Sequence, residues 1–321
     1  MAFHPPAATP PGLWRRTPPA IFPSIMGLFG LGLAWRRAVA VLGLPDAVCE
    51  AVLGGVTLLF LFGAVAYMAK ALRRPGVVSE DLRVLPGRAG LATAALSIYL
   101  LSMTVRPYDA AAAKLILMIG LAVHSAFVIL LIHVFVTGPA AQRRVSPVWH
   151  LSFVGVIVAA LAAIGVELYG LALILFGLTA MMAAFIWAVS LEQFVREDIP
   201  APLRPLLAIH LSPVALLGLV AAALGFQAVA MGCAGVAALV VGWMLVRAFW
   251  LTEAGFSALW GAITFPLAAT ASLWLTLGDF WLWPGLVALS LATVINPAIA
   301  WKVLQSWARG QLAIRTNAAI A

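Results

Sequence analysis

Ten apolar runs occupy the chain between positions 19 and 308, most of them close to the roughly 20 residues that a helix needs to cross a bilayer core. They lie near 19–35, 47–72, 89–104, 111–137, 149–164, 168–195, 205–223, 227–250, 256–277 and 283–308, divided by charges, prolines and glycine-rich turns. A soluble fold has no place for them. Only 9% of the residues are charged and 64% are hydrophobic, against about 25% and about 45–50% in soluble domains. Lipid is therefore the solvent for most of the chain, and the fold class is an all-α polytopic membrane protein. Disordered, collagen-like and disulfide-stapled classes are excluded. The net charge of +8 does not indicate nucleic acid, because the basic residues are not gathered into one arm. Cys49 and Cys233 offer neither a redox motif nor a metal spacing, and read as small apolar fillers.

Residues 1–18 read as a cytoplasmic amino-terminal tail, 19–308 as the ten-helix transmembrane domain and 309–321 as a cytoplasmic carboxyl-terminal tail. The first 18 residues carry five prolines and the step Trp14-Arg15-Arg16, unlike the apolar core of a signal peptide. Orientation follows from the basic residues. With the amino terminus inside, fifteen of the nineteen fall on inside loops and flanks, leaving Arg36, Arg37, Arg106 and Lys114 outside. The inside then carries +9 and the outside −1, and ten spans return the carboxyl terminus to the cytoplasm.

The segments alternate in character. Even-numbered ones are long and nearly uninterrupted, whereas odd-numbered ones are shorter and carry Pro, Gly, Ser or Thr. Such residues free backbone groups, which membranes tolerate only against protein or a water-filled cavity. The odd helices therefore read as facing an interior path and the even ones as facing lipid, in five helical hairpins. Candidate path-lining residues are Ser24, Gly27, Ser97, Ser152, Ser212, Thr264 and Pro266. Phe265 stands apart. It directly precedes Pro266 in the middle of the ninth segment, where the proline withholds a helical hydrogen bond and disfavours helical geometry at Phe265. A large ring at such a point is placed to close a narrow path by dewetting it.

All eleven acids sit at or near segment ends, so a proton relay or cation site has no evident carboxylate. Excess Arg and Lys at the cytoplasmic mouth would concentrate anions by a field effect. His124 and His133, nine residues apart on one helix, face opposite sides and share no metal or haem, and His210 is able to pair with only one of them. Interhelical hydrogen bonding is their plainer role. His150 stands at the start of the fifth segment, beside the cytoplasmic mouth. The serines match no hydrolase motif, so no catalytic residue, metal or cofactor is expected. Trp14, Trp35, Trp149, Trp281, Trp283 and Trp307 fall near expected interfaces, as an aromatic belt does.

Two stretches carry a resemblance: Thr17-Pro18-Pro19-Ala20-Ile21-Phe22-Pro23-Ser24-Ile25-Met26-Gly27-Leu28 running to Gly32-Leu33-Ala34-Trp35, and Leu259-Trp260 through Thr264-Phe265-Pro266 to Ser272. With the ten-span plan, they make the chain resemble the tellurite-resistance/dicarboxylate transporter family, which includes bacterial TehA, the slow anion channel of plant guard cells, and fungal malate and sulfite exporters. The resemblance implies a homotrimer in a bacterial inner membrane. Each protomer would have its own pore, lined by five odd helices in quasi-fivefold arrangement and plugged by a phenylalanine at the position of Phe265. It implies conduction of small inorganic or organic anions. The alternative is a secondary carrier exporting C4-dicarboxylate, sulfite or tellurite-type oxyanions. The chain departs from the family in having Ser24-Ile25-Met26 where members often have a Gly-aromatic step. A membrane enzyme or electron carrier is the reading from another class, and visible absorption or bound metal would mark it.

Overall fold

The computed structural model describes residues 12–321, so most of the expected amino-terminal tail lies outside the described residues. Every regular element there is helical. In chain order they are α1 (Phe22–Leu42), α2 (Ala47–Arg73), α3 (Gly76–Arg83), α4 (Leu85–Val105), α5 (Ala110–Thr137), α6 (Ile157–Gly165) and α7 (Tyr169–Arg196). There follow α8 (Leu211–Ala223), α9 (Gln227–Val246), α10 (Ala248–Thr252), α11 (Gly261–Leu277), α12 (Leu282–Ala308) and α13 (Gln311–Arg315). Short irregular turns lead into five of them: 3₁₀ turns at Pro19–Ile21, Ala201–His210, Ala258–Trp260 and Asp279–Trp281, and a π turn at His150–Val154.

Among the described residues, nine helices are long and apolar enough to cross a membrane. The fifth expected span is shorter than the rest. It forms as the π turn followed by α6, from His150 to Gly165, about 24 Å at 1.5 Å per residue against a core of roughly 30 Å. Helix starts and stops follow local chemistry. The Asp109 carboxylate accepts from the Ala111 and Ala112 amides to cap α5. Gly43, at φ +65°, ends α1 in the left-handed conformation that glycine adopts without strain. That end comes seven residues past the one read from sequence.

Burial separates the helices into two sets. The spans containing α1, α4, α8 and α11 are 56–83% buried, whereas those containing α2, α5, α7, α9 and α12 are 17–39% buried. The turn before α6 and α6 itself bury nearly every residue from His150 to Ala163. The inner helices touch one another in a closed order, α1 to α4 to α6 to α8 to α11 and back to α1, and each outer helix packs on the inner helix that precedes it in the chain. Small residues allow the closest approaches, as in other membrane helix pairs. A side chain at Gly27 would run into Thr264, and one at Gly90 into the Pro19 carbonyl. Fully buried Asn296 of α12 ties the first of these contacts, donating to the Gly27 and Thr264 carbonyls at 3.1 and 3.0 Å.

Both ends of the described chain meet on one face, where the Ala321 amide donates to the Arg15 carbonyl. The expected carboxyl-terminal tail is packed there, with Leu312, Ala313 and Thr316 buried. A buried ion pair fastens this face. Lys70 Nζ lies 2.8 Å from Asp81 Oδ2, and both side chains are 0% exposed. Tyr67 also donates to Asp81, Lys70 donates to the Thr17 carbonyl, and the Ala319 amide donates to the other Asp81 oxygen. The nearby Arg74–Glu80 pair is exposed, and Arg74 hydrogen bonds hold the Glu80 carboxyl below the usual carboxylate range.

Removing one partner of a buried pair strands the other charge, at a cost of about 3–5 kcal/mol, whereas an exposed pair contributes about 0.2–1 kcal/mol. Lys70→Met should therefore lower the apparent melting temperature in detergent far more than Arg74→Ala. Lys70→Met with Asp81→Leu should recover part of the loss. Equal effects of the two single substitutions would show that the Lys70–Asp81 cluster does not hold this face together.

Candidate functional site

Each inner helix presents one continuous row of side chains to the space that these helices enclose. On α1 and its leading turn the row is Ala20, Pro23, Met26, Gly30, Leu33 and Arg37; on α11 it is Gly261, Phe265, Ala269 and Ser272. Steps of three and four keep such a row on one helix face. The rows border three cavities in succession. The first, about 30 Å³, opens among the helix starts near the terminal face and is lined by Pro23, Thr93, Leu206, Ser212 and Pro266. The second, about 10 Å³, lies among Met26, Leu96, His150, Ser212 and Leu216. The third, about 300 Å³, opens toward the opposite face among Leu33, Arg37, Leu100, Val158, Leu219 and Ser272.

Phe265 borders all three cavities. Its side chain is 6% exposed, and its ring lies against Gly30, where an added Cβ would meet Phe265 Cδ2 at 2.9 Å. The helix runs unbroken from Gly261 to Leu277 through Pro266, although the proline has no N–H to offer the Ala262 carbonyl.

Of the residues singled out from sequence, Phe265, Pro266 and Ser212 border the cavities. The others pack between or within helices. Gly27 and Thr264 face each other, and Thr264 Oγ1 donates back to the Gly261 carbonyl. Ser24 is buried against Gly261. Ser97 donates to the Thr93 carbonyl at 2.7 Å, and Ser152 to the Val148 carbonyl at 3.4 Å. A hydroxyl on an apolar helix finds its nearest acceptor in the carbonyl one turn back, so a serine in the sequence does not by itself mark a polar wall. Thr93, which sequence reading passed over, reaches a cavity, and so does Ser272, which it quoted only as the end of a motif.

The histidines differ in part from expectation. His124 is an interhelical bridge, with Nδ1 3.1 Å from the Tyr99 hydroxyl and Nε2 2.9 Å from the Ser152 carbonyl. His133 faces outward. His210 pairs with His150 at 3.0 Å rather than with either histidine of α5, because the turns before α6 and α8 pack side by side.

The charges beside the path were also missed. Arg36 and Arg37 sit on the wall of the largest of the three cavities, at the end away from the termini. Sequence reading ended the first span at Trp35 and left both in an outside loop, but α1 carries them inside its last two turns. Arg36 is neutralised by a two-pronged bond to Glu50, at 2.8 and 2.7 Å. It also donates to the Met103 and Thr104 carbonyls. Elsewhere the path walls are apolar with scattered hydroxyls and His150, and no carboxylate borders the three cavities among the described residues.

A family model described as SLAC1, voltage-dependent anion channel, matches residues 16–306. No curated protein matches the chain.

The contact between Gly30 and the Phe265 ring is open to a thermodynamic test. Gly30→Ala puts a methyl into the ring, and overpacking of this kind costs about 1–3 kcal/mol. The apparent melting temperature should fall in Gly30→Ala and recover in Gly30→Ala/Phe265→Ala relative to Phe265→Ala alone, a coupling that a double-mutant cycle isolates. Additive losses would mean that the ring does not rest on Gly30.

Proposed function

The chain belongs to the voltage-dependent anion channel family, and we propose that it conducts small monovalent anions through a path within each protomer, closed by the Phe265 ring. The observation that carries this reading is the position of Phe265, which borders cavities toward both faces and is backed by a glycine. Apolar walls around a narrow constriction exclude water, and ions with it, unless the constriction widens. Rotation of one phenyl ring away from Gly30 is the smallest movement that would join the cavities. Walls without carboxylates remove the main electrostatic obstacle to an anion. The apolar lining discriminates among anions by the ease with which they shed water.

In this reading the protein has ten spans, with the His150–Gly165 helix as the short fifth. The meeting of Arg15 with Ala321 supports an even number of crossings, and the closed contact order of the inner helices supports a quasi-fivefold arrangement. The termini are cytoplasmic, as the basic flanks suggest, and the membrane is the bacterial inner membrane, by the resemblance described above. The assembly is a homotrimer, by the resemblance described above. No second chain is needed to complete the path, because all five rows come from one chain.

Planar-bilayer recording of purified protein tests the proposal. In symmetrical chloride and then nitrate, Phe265→Ala should raise conductance at least about tenfold over wild type, a lowering of the barrier by roughly 1.4 kcal/mol. Its reversal potentials should be anion-selective. Unchanged currents in a well-expressed Phe265→Ala protein would remove Phe265 from the gate. Silence in both proteins, with counterflow of labelled malate, sulfite or tellurite in the same liposomes, would make the protein a carrier.

A further inference from the structure

Arg36 and Arg37 are the charged side chains on the wall of the 300 Å³ cavity, and they differ in one respect. Arg36 has a carboxylate partner in Glu50 and spends its remaining donors on backbone carbonyls. Arg37 has no hydrogen-bond or ion-pair partner among the described residues. It stands seven positions beyond Gly30, two turns less about 20°, on the same face of α1 and about 10 Å along the axis. That places Arg37 beyond Phe265 along the helix, on the wall of a chamber otherwise lined largely by Leu33, Leu100, Val158, Leu216 and Leu219.

Arg37 is exposed where the chamber opens and has no counterion among the described residues, so its charge stands uncompensated in a cleft with apolar walls, where it acts more strongly than in bulk water. Its planar fork of donors is more weakly hydrated than an ammonium, which suits it to hold an anion that has shed part of its own water. Ser272 offers a further hydroxyl on the same wall.

We infer that Arg37 forms, with Ser272, a binding site for a small monovalent anion in the chamber on the far side of Phe265 from the chain termini. The inference rests on the conduction reading above and deepens it: this is where an anion waits beside the closed ring. The ligand class is a halide or a planar monovalent oxyanion. A bulky dianion would meet only one uncompensated positive charge. The same charge excludes cations from this chamber, so selection by sign occurs before the constriction and selection by dehydration at it. Arg36 acts differently, because Glu50 cancels its charge; it holds the end of α4 against α1 through the Met103 and Thr104 carbonyls.

Two measurements test the site. Crystals of wild type and Arg37→Gln grown in sodium bromide should show an anomalous bromide peak within hydrogen-bonding reach of the Arg37 guanidinium in wild type and none in the variant. In bilayers, in the Phe265→Ala background, Arg37→Gln should raise the half-saturating chloride concentration on that side at least about tenfold, the lower end of what a charge focused in an apolar cleft achieves. Arg37→Lys should keep most of the wild-type behaviour. No bromide peak at Arg37, with Phe265→Ala currents intact and unchanged by Arg37→Gln, would overturn the site and leave the channel standing; the arginine would then be a headgroup anchor. A bromide peak with silent bilayers would establish the site and refute the channel reading.

Discussion

Hydrocarbon offers the peptide backbone no hydrogen-bond partner, and the arrangement of these helices follows from that. Four of the outer helices, α2, α5, α7 and α9, run without an internal proline, so that their backbone is satisfied within each helix. Of the five irregular turns that lead into helices, four, at Pro19–Ile21, His150–Val154, Ala201–His210 and Ala258–Trp260, belong to the inner set, as does Pro266; the fifth, Asp279–Trp281, leads into α12, which also holds Pro297. In the inner set other protein groups are closest at hand to surround a freed carbonyl or amide. Most of the breakers are thus enclosed, and cavities remain along the axis of the enclosed ring.

Charge obeys the same rule at the two faces. At the terminal face, Asp81 gathers Lys70, Tyr67 and the Ala319 amide, while Lys70 reaches the Thr17 carbonyl. Segments distant in sequence are thereby joined around one buried ion pair. At the opposite face, Glu50 binds both Arg36 and the Tyr108 hydroxyl. These groups are neutralised where they are buried. The cavities between the faces are walled mainly by apolar side chains, and Arg37 is the charge on their walls without a partner among the described residues.

Between the cavities the arrangement is one of packing: Phe265 fills the space that a side chain at position 30 would occupy, and the glycine makes room for the ring. Asn296 holds α12 on the α1–α11 seam one turn from this contact, through the Gly27 and Thr264 carbonyls. The two motifs that prompted the family resemblance therefore meet in space. Their residues divide between those that seal the two helices together, such as Gly27 and Thr264, and those that border the cavities, among which Phe265 alone borders all three.

Hydropathy and the placement of breakers were enough to read the all-helical membrane fold and the division into buried and lipid-facing helices. Both depend on one-dimensional properties: how long an apolar run is, and whether its backbone can be satisfied without neighbours. Phe265 was legible for the same reason, since a ring before a proline in mid-span is anomalous along the chain itself. The polar wall was not. Ser97, Ser152 and Thr264 turned to their own helix carbonyls, and which face of a helix looks inward depends on its rotation against neighbours. The pairing of His150 with His210 and of Lys70 with Asp81 likewise required the packing of elements that the sequence only orders. By itself the sequence determined the solvent, the helices and the anomalous phenylalanine. The tertiary structure alone decided which side chains share the path and which charge there stands without a partner, because rotation and register between helices are set by the close approach of small residues across their seams.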